Sequence, residues 1–320
     1  MIEKRKLGTL EVSPLCLGGN VFGWTADEAT SFKLLDAFIA AGFNFVDTAD
    51  SYSTWAPGHA GGESETVIGN WLKSRGQRDR VIIATKVGSE VMGRKGLSKA
   101  YILSEVEQSL MRLQTEYIDL YQSHRDDLST PVEETLEAYA RLVGQGKVRV
   151  IGASNFTADR LAESLATSRK LGLPSYASLQ PNYSLYERAD YETNLESLSV
   201  KEGLAVIPYF PLASGFLSGK YRRQEDLAQS ARGRFVSKYL NDRGLRILDA
   251  LDEAAKQLGR TPAQVAIAWV MARPSITAPI ASATNLGQLN DLIEATSLKL
   301  DQALSDQLNQ ASSYEVAAAK

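Results

Sequence analysis

Short apolar runs rich in β-branched residues alternate along this chain with longer stretches whose apolar positions recur every three to four residues. The runs predict strands over Pro14–Gly18, Phe43–Asp47, Val81–Lys86, Ile118–Gln122, Val148–Gly152, Ala177–Leu179, Leu204–Pro208 and Thr277–Ile280. The first helical stretch, Asp27–Ala41, carries Phe32, Leu35, Phe38 and Ile39 on one stripe. Further helices are predicted over Glu63–Lys73, Ser98–Leu113, Pro131–Val143, Thr157–Leu171 and Ala189–Glu202. Gly244–Leu258 and Pro262–Ala272 precede the last strand; Leu286–Thr296 and Gln302–Ala311 follow it. Boundary residues agree. Ser98 stands before one helix, and Thr130-Pro131 and Thr261-Pro262 place proline at a first helical position, where no amide hydrogen is needed. Gly42, Gly172 and Gly203 stand at helix ends.

A strand followed by a helix, repeated about every 30 residues, implies parallel strands joined by right-handed crossovers. The runs VIIAT (81–85) and GLAVI (203–207) are apolar almost throughout, as strands covered on both faces are. Eight such units predict an α/β fold, a (β/α)₈ TIM barrel forming a single domain over residues 1–320. The competing fold is an open doubly wound sheet. That fold carries GxGxxG after its first strand. Here the residues are Gly18-Gly19-Asn20-Val21-Phe22-Gly23, which do not match. Ser214–Arg234, after the seventh strand, is long and rich in Gly, Ser, Arg and Lys. Barrels often bind phosphate there.

Composition narrows the class. The chain is 44% hydrophobic and 23% charged, an ordinary globular balance that argues against disorder. A net charge of -3 offers no positive field for a phosphate backbone, so no nucleic-acid partner is expected. No apolar run reaches the roughly 18 residues of a membrane span, so no membrane partner is expected either. Met1–Leu10 leads into no apolar signal core. Cys16 is the one cysteine, which fits a reducing, cytoplasmic setting. With only His59 and His124, a three-histidine zinc site is impossible, and no HExxH spacing supports any other metal site.

In this fold the active site lies at the C-terminal ends of the strands. Strand two ends in Asp47, with Tyr52 close behind; strand three ends in Lys86; His124 follows strand four. Ser154 and Asn155 follow strand five, Gln180 ends strand six, and Tyr209 follows strand seven. A phenol has an ordinary pKa of about 10, and a neighbouring ammonium such as Lys86 is expected to lower that of Tyr52. Asp47 can hold Lys86, and His124 can orient a substrate oxygen. The set offers a tuned general acid beside a carbonyl oxygen. Two decoys fail. Gly215–Tyr221 is one residue short of a P-loop and has tyrosine for the Ser or Thr. Gly152–Phe156 lacks the closing glycine of a nucleophile elbow.

These residues resemble the aldo-keto reductase family over nearly the whole chain. The carrying motifs are Lys6-Leu7-Gly8 with Val12-Ser13 and Leu17-Gly18, then GFNFVDTADSY (42–52), IATK (83–86) and DLYQSH (119–124). PLASG (211–215) and SGKY (218–221) look closest to the branch of potassium-channel β-subunits and related bacterial reductases. The resemblance implies an N-terminal hairpin, extra C-terminal helices, and a catalytic tetrad of Asp47, Tyr52, Lys86 and His124. It implies a nicotinamide dinucleotide bound without the Rossmann fingerprint. Gly19, Asn20 and Asp47 would border it, Ser154, Asn155 and Gln180 would hold its carboxamide, and Tyr209 would stack on its ring. The loop with Phe210, Pro211, Leu212, Ala213, Gly215, Leu217 and Lys220 would cover the pyrophosphate. Ser282, Thr284, Gln288 and Asp291 match the adenosine end. The sequence departs from the family at Thr284, where many members carry a cation for the 2′-phosphate. Lys220 and Arg232 could supply that charge, which favours NADPH/NADP+ over NADH. Phe22, Trp24 and Trp55, joined by Phe156, Phe210 and Tyr239, are candidates for the substrate side.

The resemblance thus implies a reversible NADPH-dependent aldo-keto reductase or alcohol dehydrogenase acting on a small aldehyde, ketone or alcohol, with Tyr52 as general acid. Two alternatives stay open: a cofactor-binding regulatory subunit with little turnover, and a barrel lyase using Lys86 as a Schiff base.

Overall fold

A computed structural model describes residues 2–229 and 233–315 of the chain. The chain opens with a hairpin, β1 (Arg5–Leu7) and β2 (Leu10–Val12), paired antiparallel. The barrel strands and their helices then alternate. They are β3 (Cys16–Gly18), α1 (Glu28–Ala40), β4 (Phe45–Asp47), α2 (Glu63–Arg75), β5 (Ile82–Val87), α3 (Lys99–Leu113), β6 (Ile118–Ser123) and α4 (Val132–Gly144). There follow β7 (Val148–Ser154), α5 (Ala158–Leu171), β8 (Ser178–Gln180), α6 (Glu196–Glu202) and β9 (Ala205–Val206). The last part holds α7 (Gly233–Val236), α8 (Asp242–Leu258), α9 (Pro262–Met271), β10 (Ile280–Ala281), α10 (Leu286–Ala295) and α11 (Gln302–Ala311).

Eight strands form one parallel sheet in the order β10-β3-β4-β5-β6-β7-β8-β9. Its two ends meet through parallel bridges, Val206 to Ile276 and Tyr209 to Ile280, and the Ile280 amide donates to the Pro208 carbonyl at 2.8 Å. The sheet is therefore a closed (β/α)₈ barrel, with no edge strand left to pair with another chain.

Alternation along the strands sets up the site. Phe45, Ala84, Leu120 and Val150 belong to one apolar cluster, which also takes Leu7, Leu10 and Val12 from the hairpin. That cluster fills the lower barrel, with the hairpin closing its N-terminal end. Side chains two residues apart share a face. Asp47, Lys86 and Gln122 therefore continue the same interior rows upward, and Gly152 and Ser154 continue the row of Val150. The interior is apolar below and polar above. Gly152 makes room for this change: a Cβ there would lie 2.3 Å from Ser178 Oγ and 3.1 Å from Gln122 Cγ. The alternate residues, such as Ile83, Tyr121 and Ile151, join the larger cluster between barrel and helices.

The predicted elements stand, with shifts at their ends. Ser98 caps α3, and Thr261 with Gln264 forms a capping box on α9. At α4 the expectation differs. Pro131 is itself the N-cap, and the Thr130 hydroxyl donates to Asp127 at 2.6 Å instead. The helix predicted over Ala189–Glu202 contains a wide π turn at Tyr191–Leu195, which lets both of those side chains reach the core. The described parts of Ser214–Arg234 carry local structure. They include 3₁₀ turns at Ala213–Ser218 and Gln224–Gln229 before α7. Among the described residues no helix is long and apolar enough to cross a membrane.

Candidate active site

The polar upper barrel holds one connected network. Lys86 Nζ is fully buried and gives its three hydrogens to Asp47 Oδ2 (2.6 Å), the Thr48 carbonyl (2.8 Å) and the Tyr52 hydroxyl (2.8 Å). The Tyr52 hydroxyl in turn donates to Asp47 Oδ2 at 2.9 Å. The other oxygen of Asp47 accepts from Gln180 Nε2 (3.0 Å) and Gln122 Nε2 (3.3 Å). Asp47 and Lys86 are both 0% exposed, so each charge is tolerated only because the other is present. The turn carrying Tyr52 is fixed from below. Thr48 Oγ1 donates to Ser64 Oγ, which donates to the Gly19 carbonyl, each at 2.7 Å. A Cβ on Gly19 would sit 2.8 Å from Ser64 Oγ, so this close approach requires glycine.

The direction of the Tyr52 shift corrects the expectation. Burial pushes the phenol well above its ordinary value, and the charge of Asp47 and the hydrogen bond to it push the same way. The net effect is a phenol held protonated, not a phenol made acidic. Lys86 contributes differently: it already donates to the oxygen that would lose the proton. Burial also holds the Lys86 ammonium below its ordinary range, with Asp47 opposing.

His124 begins just past β6, its amide bonded to the Val87 carbonyl at 2.8 Å. Burial first, then the charges of Lys86 and Arg125, hold its pKa well below the usual 6.5. The ring is neutral at pH 7. Ser51 Oγ lies 3.3 Å from Nδ1. A hydroxyl donating there leaves the proton on Nε2, an assignment inferred from this contact.

Above the network opens a cavity of about 430 Å³, lined among others by Tyr52, His124, Ser154, Asn155, Gln180 and Tyr209. A second cavity of about 200 Å³ shares Asn20, Phe210, Ile280 and Ser282 with it and runs on to Lys220, Gln288 and Asp291. Ser282 Oγ donates to Asn20 Oδ1 at 2.5 Å across the junction. The wall between is strained: Phe210, Ala213 and Ser214 all have positive φ (55°, 48° and 58°). Non-glycine residues pay roughly 1–2 kcal/mol each for that conformation, and such strain clusters at ligand sites. Asn155 (φ 56°) shares it, held by the Tyr209 hydroxyl donating to its Oδ1 at 2.8 Å.

Most of the residues read from the sequence line this bipartite cleft, but several do not. Phe22 is fully buried in the core beneath Gly19, because the turn after β3 directs its ring inward; it cannot touch substrate. Tyr239 is buried against Phe216 and Tyr186, and Phe156 against Tyr176. Ala213 and Leu217 are 0% exposed and turn into the core, while Pro211, Leu212, Gly215 and Lys220 line the second cavity. Thr284 stands beside that cavity, its amide and hydroxyl both given to Gln288 Oε1. Arg232 lies outside the described residues. Trp24, Trp55 and Phe210 do gather, with Phe235 of α7, around an apolar chamber of about 250 Å³.

Sequence reading missed Gln122, whose signal was a polar residue on the interior row of β6. It also missed Ser51, Arg125 and Phe235. Asp50 escaped notice too. It is buried with neither carboxylate oxygen in hydrogen-bond geometry, and burial, then Glu65 and Glu105, push its pKa far up.

Polar groups converging at the strand ends beneath a long cleft are where a barrel oxidoreductase keeps its chemistry, and the comparisons with known proteins agree. The chain belongs to the aldo/keto reductase family, whose match runs over residues 14–313. It is 37% identical over 94% of its length to an uncharacterized oxidoreductase, YrpG, of Bacillus subtilis (strain 168), of which it covers 92%. It is 33% identical to a probable voltage-gated potassium channel subunit beta of Oryza sativa subsp. japonica, over 89% of this chain and 88% of that one. A norsolorinic acid reductase of Aspergillus flavus is 31% identical, over 96% of this chain and 79% of its own.

Proposed function

We propose that the protein reduces an aldehyde or ketone to an alcohol, reversibly, with Tyr52 as the general acid and NADPH as the preferred hydride donor. The observation that carries this reading is the Tyr52 hydroxyl held between Lys86 Nζ (2.8 Å) and Asp47 Oδ2 (2.9 Å) at the floor of the larger cavity. When bound, a nicotinamide dinucleotide would supply the hydride. The residues present suit such a group: Ser154, Asn155 and Gln180 offer amide partners, Tyr209 an aromatic face, and Lys220 a cation for phosphate.

The residues themselves act as follows. Tyr52 keeps its proton until an oxygen beside it becomes basic, then gives it up. Lys86 stabilises the phenolate that remains, because its hydrogen bond to that oxygen already exists. Asp47 keeps Lys86 charged within a buried site. His124, neutral, donates to the substrate oxygen and fixes its direction. The preference for NADPH rests on Lys220, the one cation lining the second cavity among the described residues. The lone cysteine, Cys16, is buried, which suits work in a reducing cytoplasm.

The regulatory reading draws on the relative named as a channel subunit, yet binding alone needs no buried Tyr–Lys–Asp network. The Schiff-base reading fares worse, since all three hydrogens of Lys86 are engaged and its nitrogen is sealed from the cavity. Mixing the purified protein with NADPH and a reactive aldehyde tests the proposal. Steady loss of nicotinamide absorbance matched by alcohol formation is expected; cofactor binding without turnover across a broad carbonyl panel would favour the regulatory subunit.

A further inference from the structure

Charged groups around the cavity mouth are almost all engaged. Asp126 is held by Arg160 at 3.0 Å. Asp127 accepts from the Leu97 amide and from the hydroxyls of Ser129 and Thr130. Glu90, on the cavity wall, stands 3.9 Å from Lys95. Arg125 is the exception. It follows His124 directly, is exposed, and lines the same cavity as Tyr52, His124, Asn155 and Tyr209. Among the described residues its guanidinium has no ion pair or hydrogen bond. The neighbouring acids that might have neutralised it are turned to other partners. Its charge is felt on both sides of the mouth: it disfavours protonation of His124, and it favours ionisation of Tyr209 against the effect of burial.

A guanidinium is a planar fork of donors matched to a carboxylate. Placed beside a reaction centre without a protein partner, it is a receptor for an anion on the incoming molecule. The adjoining chamber has the opposite character. Trp24 and Trp55 meet edge to face at 5.7 Å, and with Phe210 and Phe235 they offer a slot for a flat apolar group. Trp55 and Phe210 line both spaces, so one ligand can touch both. We propose that Arg125 is a specificity-determining residue that selects aromatic carbonyl compounds carrying a carboxylate, with the ring placed among these aromatic side chains. This inference rests on the reductase reading above and names the substrate class for that site.

The test compares para-formylbenzoate with benzaldehyde, which share ring and carbonyl and differ in charge. In wild type, kcat/KM with NADPH should favour the carboxylate by about tenfold at low salt, and the advantage should shrink as screening rises. Arg125→Gln should reduce that ratio to about one through KM, and Arg125→Lys should restore part of it, since the charge returns without the fork. Comparing ratios between wild type and variant cancels the intrinsic reactivity of the two aldehydes. A ratio unchanged by Arg125→Gln would overturn the proposal while leaving the reductase reading intact. A second arm needs no turnover. Benzoate and benzyl alcohol are titrated into the NADP+-loaded protein, following tryptophan fluorescence. Arg125→Gln should weaken benzoate several-fold more than benzyl alcohol; equal weakening would count against Arg125 whatever the enzyme reduces.

Discussion

The floor of the cleft and its far end are built by different rules. At the floor, Asp47, Lys86, Tyr52, Gln122 and Gln180 share one hydrogen-bonded network, and the central ion pair is 0% exposed. Each member there is held by at least one of the others. At the far end, Lys220 and Gln288 are exposed, and Asp291 lines the wall, its Oδ1 accepting from Gln264 Nε2 at 3.3 Å. A buried network fixes positions within narrow limits, because any unpaired member costs several kcal/mol. An exposed rim can gain or lose a charge at little cost. On the proposed reading the floor sets the reaction and the far end sets which cofactor is used, and the second can vary without disturbing the first.

The strongest way to break this division is at Tyr52. Tyr52→Phe keeps the Asp47–Lys86 pair and should leave cofactor affinity within about twofold, while kcat falls by roughly 10²–10⁴-fold. Near-normal kcat would remove Tyr52 from the reaction. Lys86→Met strikes the pair itself. It leaves the Asp47 carboxylate buried without its cation, which should cost about 3–5 kcal/mol in urea unfolding. Asp47→Asn strands the other half of the pair, leaving the buried Lys86 ammonium without its anion and turning an amide NH2 toward donors, so its cost should be of the same order. Small losses in both variants would show that the floor is looser than its distances suggest.

At the far end the effects should be smaller. Lys220→Ala is expected to weaken NADPH about fivefold, or about 1 kcal/mol, because an exposed ion pair sits at the low end for charge-assisted bonds. NADH should be affected less, and the difference should shrink with salt. If both cofactors lose equally, Lys220 serves the shared pyrophosphate instead. The smallest effect expected is a pH effect on stability. Burial, Lys86 and Arg125 depress the folded pKa of His124 below its unfolded value of about 6.5. The unfolded chain therefore takes the proton first, so this contribution is full above about pH 6.5 and is lost as the pH falls below it. His124→Asn should flatten the decline of Tm between neutral and mildly acidic pH; an identical decline in wild type and variant would contradict the assigned shift.

What could be read from the sequence follows the same division. The strand-and-helix repeat is legible because the long amphipathic helices recur between short apolar runs, even where a single strand spans only two or three residues. Asp47, Lys86 and His124 were legible because strand ends in a barrel converge on one face, with Tyr52 in the turn just behind Asp47. Side-chain direction in the turns was not legible. Phe22 and Trp24 are two residues apart, yet one is core and the other lines the apolar chamber, since the turn after β3 has no strand alternation to decide it. The pKa direction of Tyr52 is hidden for a related reason: the sequence shows Lys86 as a neighbour, while burial and the bond to Asp47 are visible only in three dimensions. Arg125 carries no signal in the sequence, because what sets it apart is that Asp126 and Asp127 are turned to other partners.

The independence of floor and far end is tested most directly by combining Tyr52→Phe with Lys220→Ala and measuring kcat/KM for NADPH under saturating aldehyde. Residues that share no partner and line separate cavities should act additively. The double variant's loss should equal the sum of the two single losses to within about 0.5 kcal/mol. A coupling of 1 kcal/mol or more, on the order seen between residues in one network, would mean that the cleft acts as a single unit and would contradict the division.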